Sequence, residues 1–150
     1  MGSIKAHLRY FGITDSDVTA LRATKSLIVD HADEFIDRFY THLQEFEETR
    51  AFVTDPAVLT RLLDAQRHYL FSLFDARFDN DYYAQRCRIG ETHFRIGLDF
   101  KWYVGAYNLY FGFFAPVFET HLAGDAERLQ RVQSAYRKIL LMDMSIVLEA

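Results

Sequence analysis

The chain has 150 residues, of which 50% are hydrophobic and 25% are charged, with a formal net charge of −4. This length suits one compact domain over residues 1–150, and the apolar content excludes intrinsic disorder. A single cysteine, Cys87, excludes a disulfide scaffold and fits a reducing compartment. The scattered basic residues give no electrostatic footprint for nucleic acid. The aromatic content of 16% is high and hints at a bulky planar ligand.

The first half of the chain shows helical spacing, because apolar residues recur at intervals of three and four. A short helix is expected from Ile4 to Phe11. Thr14 with Asp17 three residues later resembles a capping box, which opens a second helix. The apolar pattern continues on the far side of Asp30, where we expect a separate helix.

The second half of the chain carries its own helix start signals. Thr54-Asp55-Pro56 places a capping side chain before a proline at the first helical position. Further helices are expected to begin at Asp79 and Asp99, and Gly124-Asp125 precedes a last helix. Alternating strand patterns are absent, so the sequence predicts an all-α protein of about seven or eight helices.

The segment from Trp102 to Phe118 is uncharged over 17 residues, the lower limit of the roughly 17–25 residues of a membrane-spanning helix. It also contains Asn108, two glycines and Pro116, so a buried central helix covered on several sides explains it better. No basic segment followed by an apolar core opens the chain, so no signal peptide is expected. We therefore expect a cytoplasmic protein that does not contact a membrane.

Residues that could form a catalytic site are hard to find. No glycine-rich phosphate loop follows a strand, no histidine pair has metalloprotease spacing, and Cys87 has no second thiol to share a zinc ion. His68 points away from the apolar stripe Leu62-Ala65-Tyr69. Four other histidines are flanked by polar or turn residues and are expected at the surface: His7, His31, His42 and His121.

His93 is the one histidine placed on an apolar helix face, with Ile89 one turn before it and Ile96 one turn after it. Gly90 and Gly97 lie beside this face, and they remove side chains where a large flat group could approach the backbone. Spacing alone leaves two interpretations open. His93 is either a core histidine with both nitrogens satisfied or a neutral imidazole that ligates an iron.

The run RIGETHFRIGL from Arg88 to Leu98, followed by WYVGAY from Trp102 to Tyr107, resembles the signature of globin-coupled sensors. That family places a sensory, haem-binding globin domain ahead of an output domain. The resemblance extends upstream to Phe39-Tyr40 and to Asn80-Asp81-Tyr82, and it covers about residues 14–148. It implies a globin-like fold with a short extra N-terminal helix, and any output domain would follow residue 150.

The resemblance also implies roles for single residues. His93 matches the proximal haem ligand, and Tyr40 matches the distal tyrosine whose hydroxyl stabilises bound O2. From the residues alone, Tyr40 could equally be a core tyrosine whose hydroxyl reaches water. Ala65 cannot supply a second hydrogen bond to bound O2, so Tyr40 would act alone. On the other side of the haem, Tyr103 matches a proximal-side tyrosine. The residues expected to form the haem site are Tyr40, Leu62, Ala65, Tyr69, Ile89, His93, Ile96, Tyr103 and Tyr107.

The implied function is that of a haem-based oxygen sensor domain, which binds O2, and also CO and NO, at the iron of haem b. Because Cys87 lies in no haem-attachment pair of cysteines, the haem would be held without a covalent bond. The domain would be regulatory and not an enzyme. Two alternatives stay open: a stand-alone globin for O2 storage or for nitric oxide and peroxide detoxification, and a haem-free helical module that works by dimerisation.

The C-terminal helix bears on the oligomeric state. Between residues 139 and 148 it carries more apolar residues than one face needs. The family resembled here dimerises through its last two helices. We therefore expect a homodimer, with the surface-facing members of Ile139, Met142 and Ile146 at its interface.

Overall fold

The computed structural model describes residues 3–150, and within that range the regular structure is entirely helical. The prediction of an all-α fold with about seven or eight helices is therefore confirmed. In chain order the elements are α1 (Ile4–Tyr10), α2 (Asp15–Glu45), α3 (Glu47–Arg50), a 3₁₀ turn (Ala51–Val53), α4 (Pro56–Asp75), α5 (Asn80–Arg95), α6 (Phe100–His121) and α7 (Ala126–Glu149).

The helices begin where local capping chemistry predicts. Thr14 and Asp17 form the expected capping box at the start of α2. Asp55 caps α4 ahead of the first-turn proline, and Asp79 caps α5 through its side chain. Asp99 occupies the same position before α6, but its side chain makes no capping hydrogen bond.

The expected helix break at Asp30 is wrong, because α2 is one continuous helix of 31 residues. Its buried face includes Leu21, Ile28 and Phe35, which lie seven residues apart and face the core along the whole length. Asp30 lies on the opposite, exposed face. An aspartate at such a position costs only about 0.7 kcal/mol of helix propensity, which core packing outweighs.

The last helix lies at the centre of the fold, since α2, α5 and α6 all pack against α7. Ile139, Met142 and Ile146 are only 0%, 0% and 1% exposed. The expectation that members of this trio face a second subunit is therefore wrong. Three neighbouring helices of the same chain already bury these side chains. The exposed apolar residues of α7 are Leu141 and Leu148.

The cover of the sixth helix by the rest of the fold is incomplete. One face is buried and consists of Tyr103, Tyr107, Tyr110, Phe114 and Phe118. On the other side Val104 is exposed, and a side chain added at Gly105 or Gly112 would meet open space. Ala106, Leu109, Phe111, Phe113 and Val117 are partly buried against the core beside the buried face, so α6 is covered on several sides and open along one strip. Among residues 3–150, no helix has the length and apolar character needed to cross a membrane.

Two histidines that were expected on the surface differ in their observed exposure. His68 is exposed as expected, and its Nδ1 lies 2.9 Å from the Asp64 carbonyl oxygen. His7 is buried, contrary to expectation, because Nε2 lies 3.1 Å from Glu149 Oε2 and Nδ1 lies 2.7 Å from the Ser3 carbonyl oxygen. These contacts fasten α1 to the end of α7.

Candidate functional site

The end of α5 fixes the position of His93. The amides of Gly97 and Leu98 donate to the carbonyl oxygens of Phe94 and His93, at 3.1 and 3.0 Å. Gly97 has a φ of +74°, so this is a Schellman-type helix end that requires glycine for its backbone conformation. A Cβ atom at Gly97 would meet nothing within 4 Å, so its expected role, making room for a flat group, stays a prediction beside this conformational one.

Gly90 also has a different role from the expected one. A Cβ atom at this position would collide with the Val147 carbonyl oxygen and would lie 2.8 Å from Ala150 Cβ. Glycine therefore lets α5 and α7 approach backbone to backbone. The position that a side chain at Gly90 would occupy is filled by α7.

His93 is half-buried, and its Nδ1 is buried without a hydrogen-bond partner among residues 3–150. Desolvation lowers the pKa of His93 below its usual value, so the imidazole is neutral at pH 7. A core histidine with both nitrogens satisfied is therefore not what the structure contains. A neutral ring with an unpartnered buried nitrogen has the chemistry of a metal ligand.

Apolar side chains surround this imidazole but are not covered by the fold. Phe94 is 81% exposed, Ile96 45% and Phe100 68%. Exposed aromatic residues beside a half-buried, neutral imidazole mark a ligand site, because their apolar surfaces gain from contact with a bound group. The cavity at His93 is lined by Gly90, His93, Phe94, Leu98, Phe100, Tyr103, Val147, Leu148 and Ala150. This donor set, one imidazole amid apolar surface, fits a haem.

The remaining predicted residues lie on α2, on α4 and on α5 itself. Tyr40 on α2 is 37% exposed, so it is not a tyrosine packed into the core. On α4, Leu62 is half-buried and Ala65 is exposed, and on α5 Ile89 packs partly buried against the core. Their roles at a haem stay predictions.

His93 packs against one of the predicted tyrosines, Tyr103, which begins a chain of three tyrosines. The rings of His93 and Tyr103 have centroids 5.1 Å apart. The Tyr103 and Tyr107 hydroxyl oxygens are 2.6 Å apart, and those of Tyr107 and Tyr69 are 3.0 Å apart. Burial raises the pKa of all three phenols, so each keeps its proton at neutral pH.

The chain of tyrosines ends at a buried ion pair that the sequence analysis missed. Tyr69 donates to Asp143 Oδ2 at 2.8 Å, and Arg86 Nε donates to the same oxygen at 3.0 Å. Arg86 and Asp143 are 1% and 0% exposed. Desolvation disfavours the charged guanidinium, but Asp143 and the nearby tyrosines outweigh it and raise the pKa of Arg86. Tyr82 also donates to Asp143, and the Arg86 guanidinium lies 3.8 Å from the Tyr82 ring centroid.

A signal for this pair was present in the sequence. Asp143 lies four residues after Ile139 and three before Ile146, so it occupies an apolar position of the α7 pattern. A carboxylate at such a position requires a buried cation or several donors. Arg86 and Ser72, whose Oγ accepts from Arg86 Nη2 at 2.8 Å, complete the cluster, so α4, α5 and α7 meet at Asp143.

The helical arrangement, with a single neutral histidine near the end of α5, defines a globin domain. It is similar to the globin domain of the Geobacter sulfurreducens globin-coupled sensor, with a TM-score of 0.92 over 98% of this chain and 96% of that one, at 26% identity. The sequence model of the Protoglobin family matches residues 1–150, and the chain belongs to that family. The predicted family and fold are thus confirmed.

One curated relative shows how much of a longer protein this chain resembles. The chain is 36% identical over 105 residues to the heme-based aerotactic transducer HemAT of Halobacterium salinarum. The match covers 69% of this chain and 22% of that transducer. The chain therefore spans about a fifth of the length of this relative.

Proposed function

We propose that this chain is a haem-based oxygen sensor domain, which regulates an output and is not itself catalytic. The observation that carries the proposal is His93, a neutral imidazole with an unpartnered buried Nδ1 amid exposed apolar side chains. The similar proteins support it, since one is described as a heme-based transducer and the other as part of a sensor. An output domain after residue 150 belongs to the same proposal.

The proposed haem is haem b, held without a covalent bond, because the chain has one cysteine and cannot form a thioether pair. When bound, haem would supply an iron that can take O2, CO or NO. His93 would hold the iron, and Phe94, Ile96 and Phe100 would cover the apolar ring and exclude water. The Tyr40 hydroxyl would act on the gas side.

The direct test is an absorption titration of the purified, haem-free protein with haem. We expect a Soret band that saturates at one haem per chain. Absence of saturable binding would contradict the proposal and leave the helical module that works by dimerisation. If haem binds, rapid turnover of nitric oxide or peroxide would instead favour the stand-alone globin.

Replacing Tyr40 with phenylalanine should weaken O2 binding, because the ring is kept and only the hydrogen-bond donor is lost. The expected cost is about 1–3 kcal/mol, or roughly five- to 150-fold, seen mainly as faster O2 dissociation and quicker oxidation of the iron. CO dissociation should change much less, since bound CO carries less negative charge. Stopped-flow measurement of both dissociation rates checks this.

Tyr10→Phe is the matched control, because the same atom is removed from a tyrosine that is 89% exposed on α1. It should leave both dissociation rates unchanged. Equal changes for O2 and CO in Tyr40→Phe would indicate altered access or packing. No change for O2 would show that another group stabilises the gas.

The homodimer through the last two helices is also part of the proposal, with a different interface from the one first expected. The uncovered face of α6, where Gly105 and Gly112 border open space, would allow two copies to approach closely. Exposed Leu141 and Leu148 add apolar surface from α7. These residues replace the buried Ile139, Met142 and Ile146 trio.

Gly112→Arg should therefore yield a monomer that still binds haem, because a long charged side chain would separate the two α6 helices. Gly124→Arg is the control, since Gly124 also borders open space but lies in the turn before α7. Sedimentation at micromolar concentration measures the outcome. A wild-type monomer, or a dimer that survives Gly112→Arg, would contradict this interface.

A further inference from the structure

A pair of histidines connects α2 and α6 at a place that the proposed haem site does not use. His31 of α2 and His121 of α6 have ring centroids 5.2 Å apart, with 75° between the ring planes. Both side chains line a surface cavity to which Glu34 and Thr120 also contribute. This cavity shares no lining residue with the cavity at His93, so the two places are separate.

One contact decides which nitrogen of His31 is available to a ligand. Its Nδ1 lies 3.0 Å from the carbonyl oxygen of Leu27, one turn earlier on α2. A carbonyl oxygen can only accept, so in the neutral ring the proton is on Nδ1 and Nε2 keeps its lone pair. Metal-binding histidines are commonly held in this way, with one nitrogen donating to a carbonyl group and the other bare.

The separation of the two rings matches that of imidazoles that share one tetrahedral ion. A Zn–N bond of about 2.0–2.1 Å places each ring centroid roughly 3.2 Å from the metal, and two such centroids at the tetrahedral angle are about 5.2 Å apart. The observed separation is 5.2 Å, so the two helices need not move. His121 is exposed, and its ring can turn a nitrogen toward His31 by a change of rotamer.

The charges around the pair favour a cation. His121 is the last residue of α6, and the unsatisfied carbonyl groups of a helix C-terminus carry partial negative charge. Glu34, three positions after His31, adds a carboxylate to the cavity. Arg38 Nη2 lies 3.8 Å from Glu34 Oε1, and its guanidinium lies over Phe113. Phe113 precedes His121 by two helical turns, roughly 12 Å along α6, so Arg38 faces the other end of the cavity.

We propose that His31 and His121 form a binding site for a divalent transition-metal ion such as Zn²⁺, which links α2 to α6. Imidazole nitrogen suits zinc, copper and nickel, whereas Mg²⁺ and Ca²⁺ prefer oxygen ligands. Within residues 3–150, no group of three or more His, Cys, Asp or Glu side chains could hold a metal. Water therefore completes the coordination, and the ion exchanges with solution. The proposal does not rest on haem binding.

The test is a calorimetric titration of the protein with Zn²⁺ at neutral pH. We expect one ion per chain, and binding at least about tenfold weaker in both His31→Ala and His121→Ala, because each variant loses one of two ligands. If His31→Ala does not fold, His121→Ala, at an exposed position, tests the proposal alone. Mg²⁺ should not compete.

His68→Ala is the matched control, because His68 Nδ1 also lies 2.9 Å from a carbonyl oxygen one turn earlier on its helix. This variant should bind Zn²⁺ as the wild type does. Unchanged affinity in His121→Ala, or an equal loss in His68→Ala, would overturn the proposal. Gly112 of the proposed dimer interface also lines the cavity, so one ion per two chains would indicate a site between copies and would overturn the site within one chain.

A second readout shows whether the two rings bind the same ion. In ¹⁵N NMR spectra of the haem-free protein, Zn²⁺ should shift the signals of His31 Nε2 and of one His121 nitrogen in parallel, and leave those of His68 in place. A shift at only one of the pair would overturn the shared site. A shift at His93 instead would place the ion in the cavity at His93 and would equally overturn the proposal.

Discussion

Replacing His93 with alanine should abolish stable haem binding. His93 is the one imidazole that lines the cavity, and the other lining residues are apolar apart from one tyrosine, Tyr103, and one glycine, Gly90. Without it no side chain is left there to hold the iron, and apolar contact with the flat ring alone gives no fixed position. Haem content after gel filtration, together with the ferrous absorption spectrum, measures the effect.

The matched control is His68→Ala, since His68 is exposed on α4 and its Nδ1 lies 2.9 Å from the carbonyl oxygen of Asp64 on the same helix. This variant should retain a full complement of haem. A normal five-coordinate ferrous spectrum in His93→Ala would show that the proximal assignment is wrong.

Replacing Asp143 with asparagine should destabilise the fold by about 3–5 kcal/mol, the usual effect of breaking a buried ion pair from one side. Asparagine keeps the shape of the side chain, but it leaves the Arg86 guanidinium charged and almost completely buried. Urea unfolding of wild type and variant, both in the same haem state, measures the difference. A loss of about 3–5 kcal/mol is a large fraction of the free energy of unfolding of a domain of this size.

Two further variants test the cause. Glu127→Gln removes a carboxylate from the exposed pair with Arg131 on the same helix and should cost less than about 0.5 kcal/mol. Asp143→Leu combined with Arg86→Met removes both charges and should recover much of the loss. A cost below about 1 kcal/mol for Asp143→Asn would mean that water reaches Arg86.

Structural features that depend on residues close to each other in the sequence could be predicted. The capping box at Thr14 and the start of α4 at Asp55-Pro56 involve residues within three positions of each other, so the sequence contains the whole interaction. His93 was found for a similar reason, because its apolar neighbours on α5 are one turn away. The resemblance then supplied what spacing could not, the identity of the bound group.

Features set by distant residues could not be predicted. The apolar residues around Ile139 indicate that α7 is buried, but their number does not say whether the cover comes from this chain or from a second copy. Gly90 faces Val147, 57 positions away, and Asp143 pairs with Arg86 across the same helix contact. These pairings follow from how α5 lies on α7, which periodicity does not determine.

The glycine contact between α5 and α7 has a mechanical consequence. Side chains between two helices can change rotamer and so absorb small shifts, but at Gly90 the α5 backbone meets the Val147 carbonyl group of α7 directly. His93 lies three residues further along α5, so a movement that pulls its ring also pushes on this contact. At Gly90 no intervening side chain is available to absorb a relative shift of the two helices, so α5 and α7 are held at a fixed spacing one turn from His93.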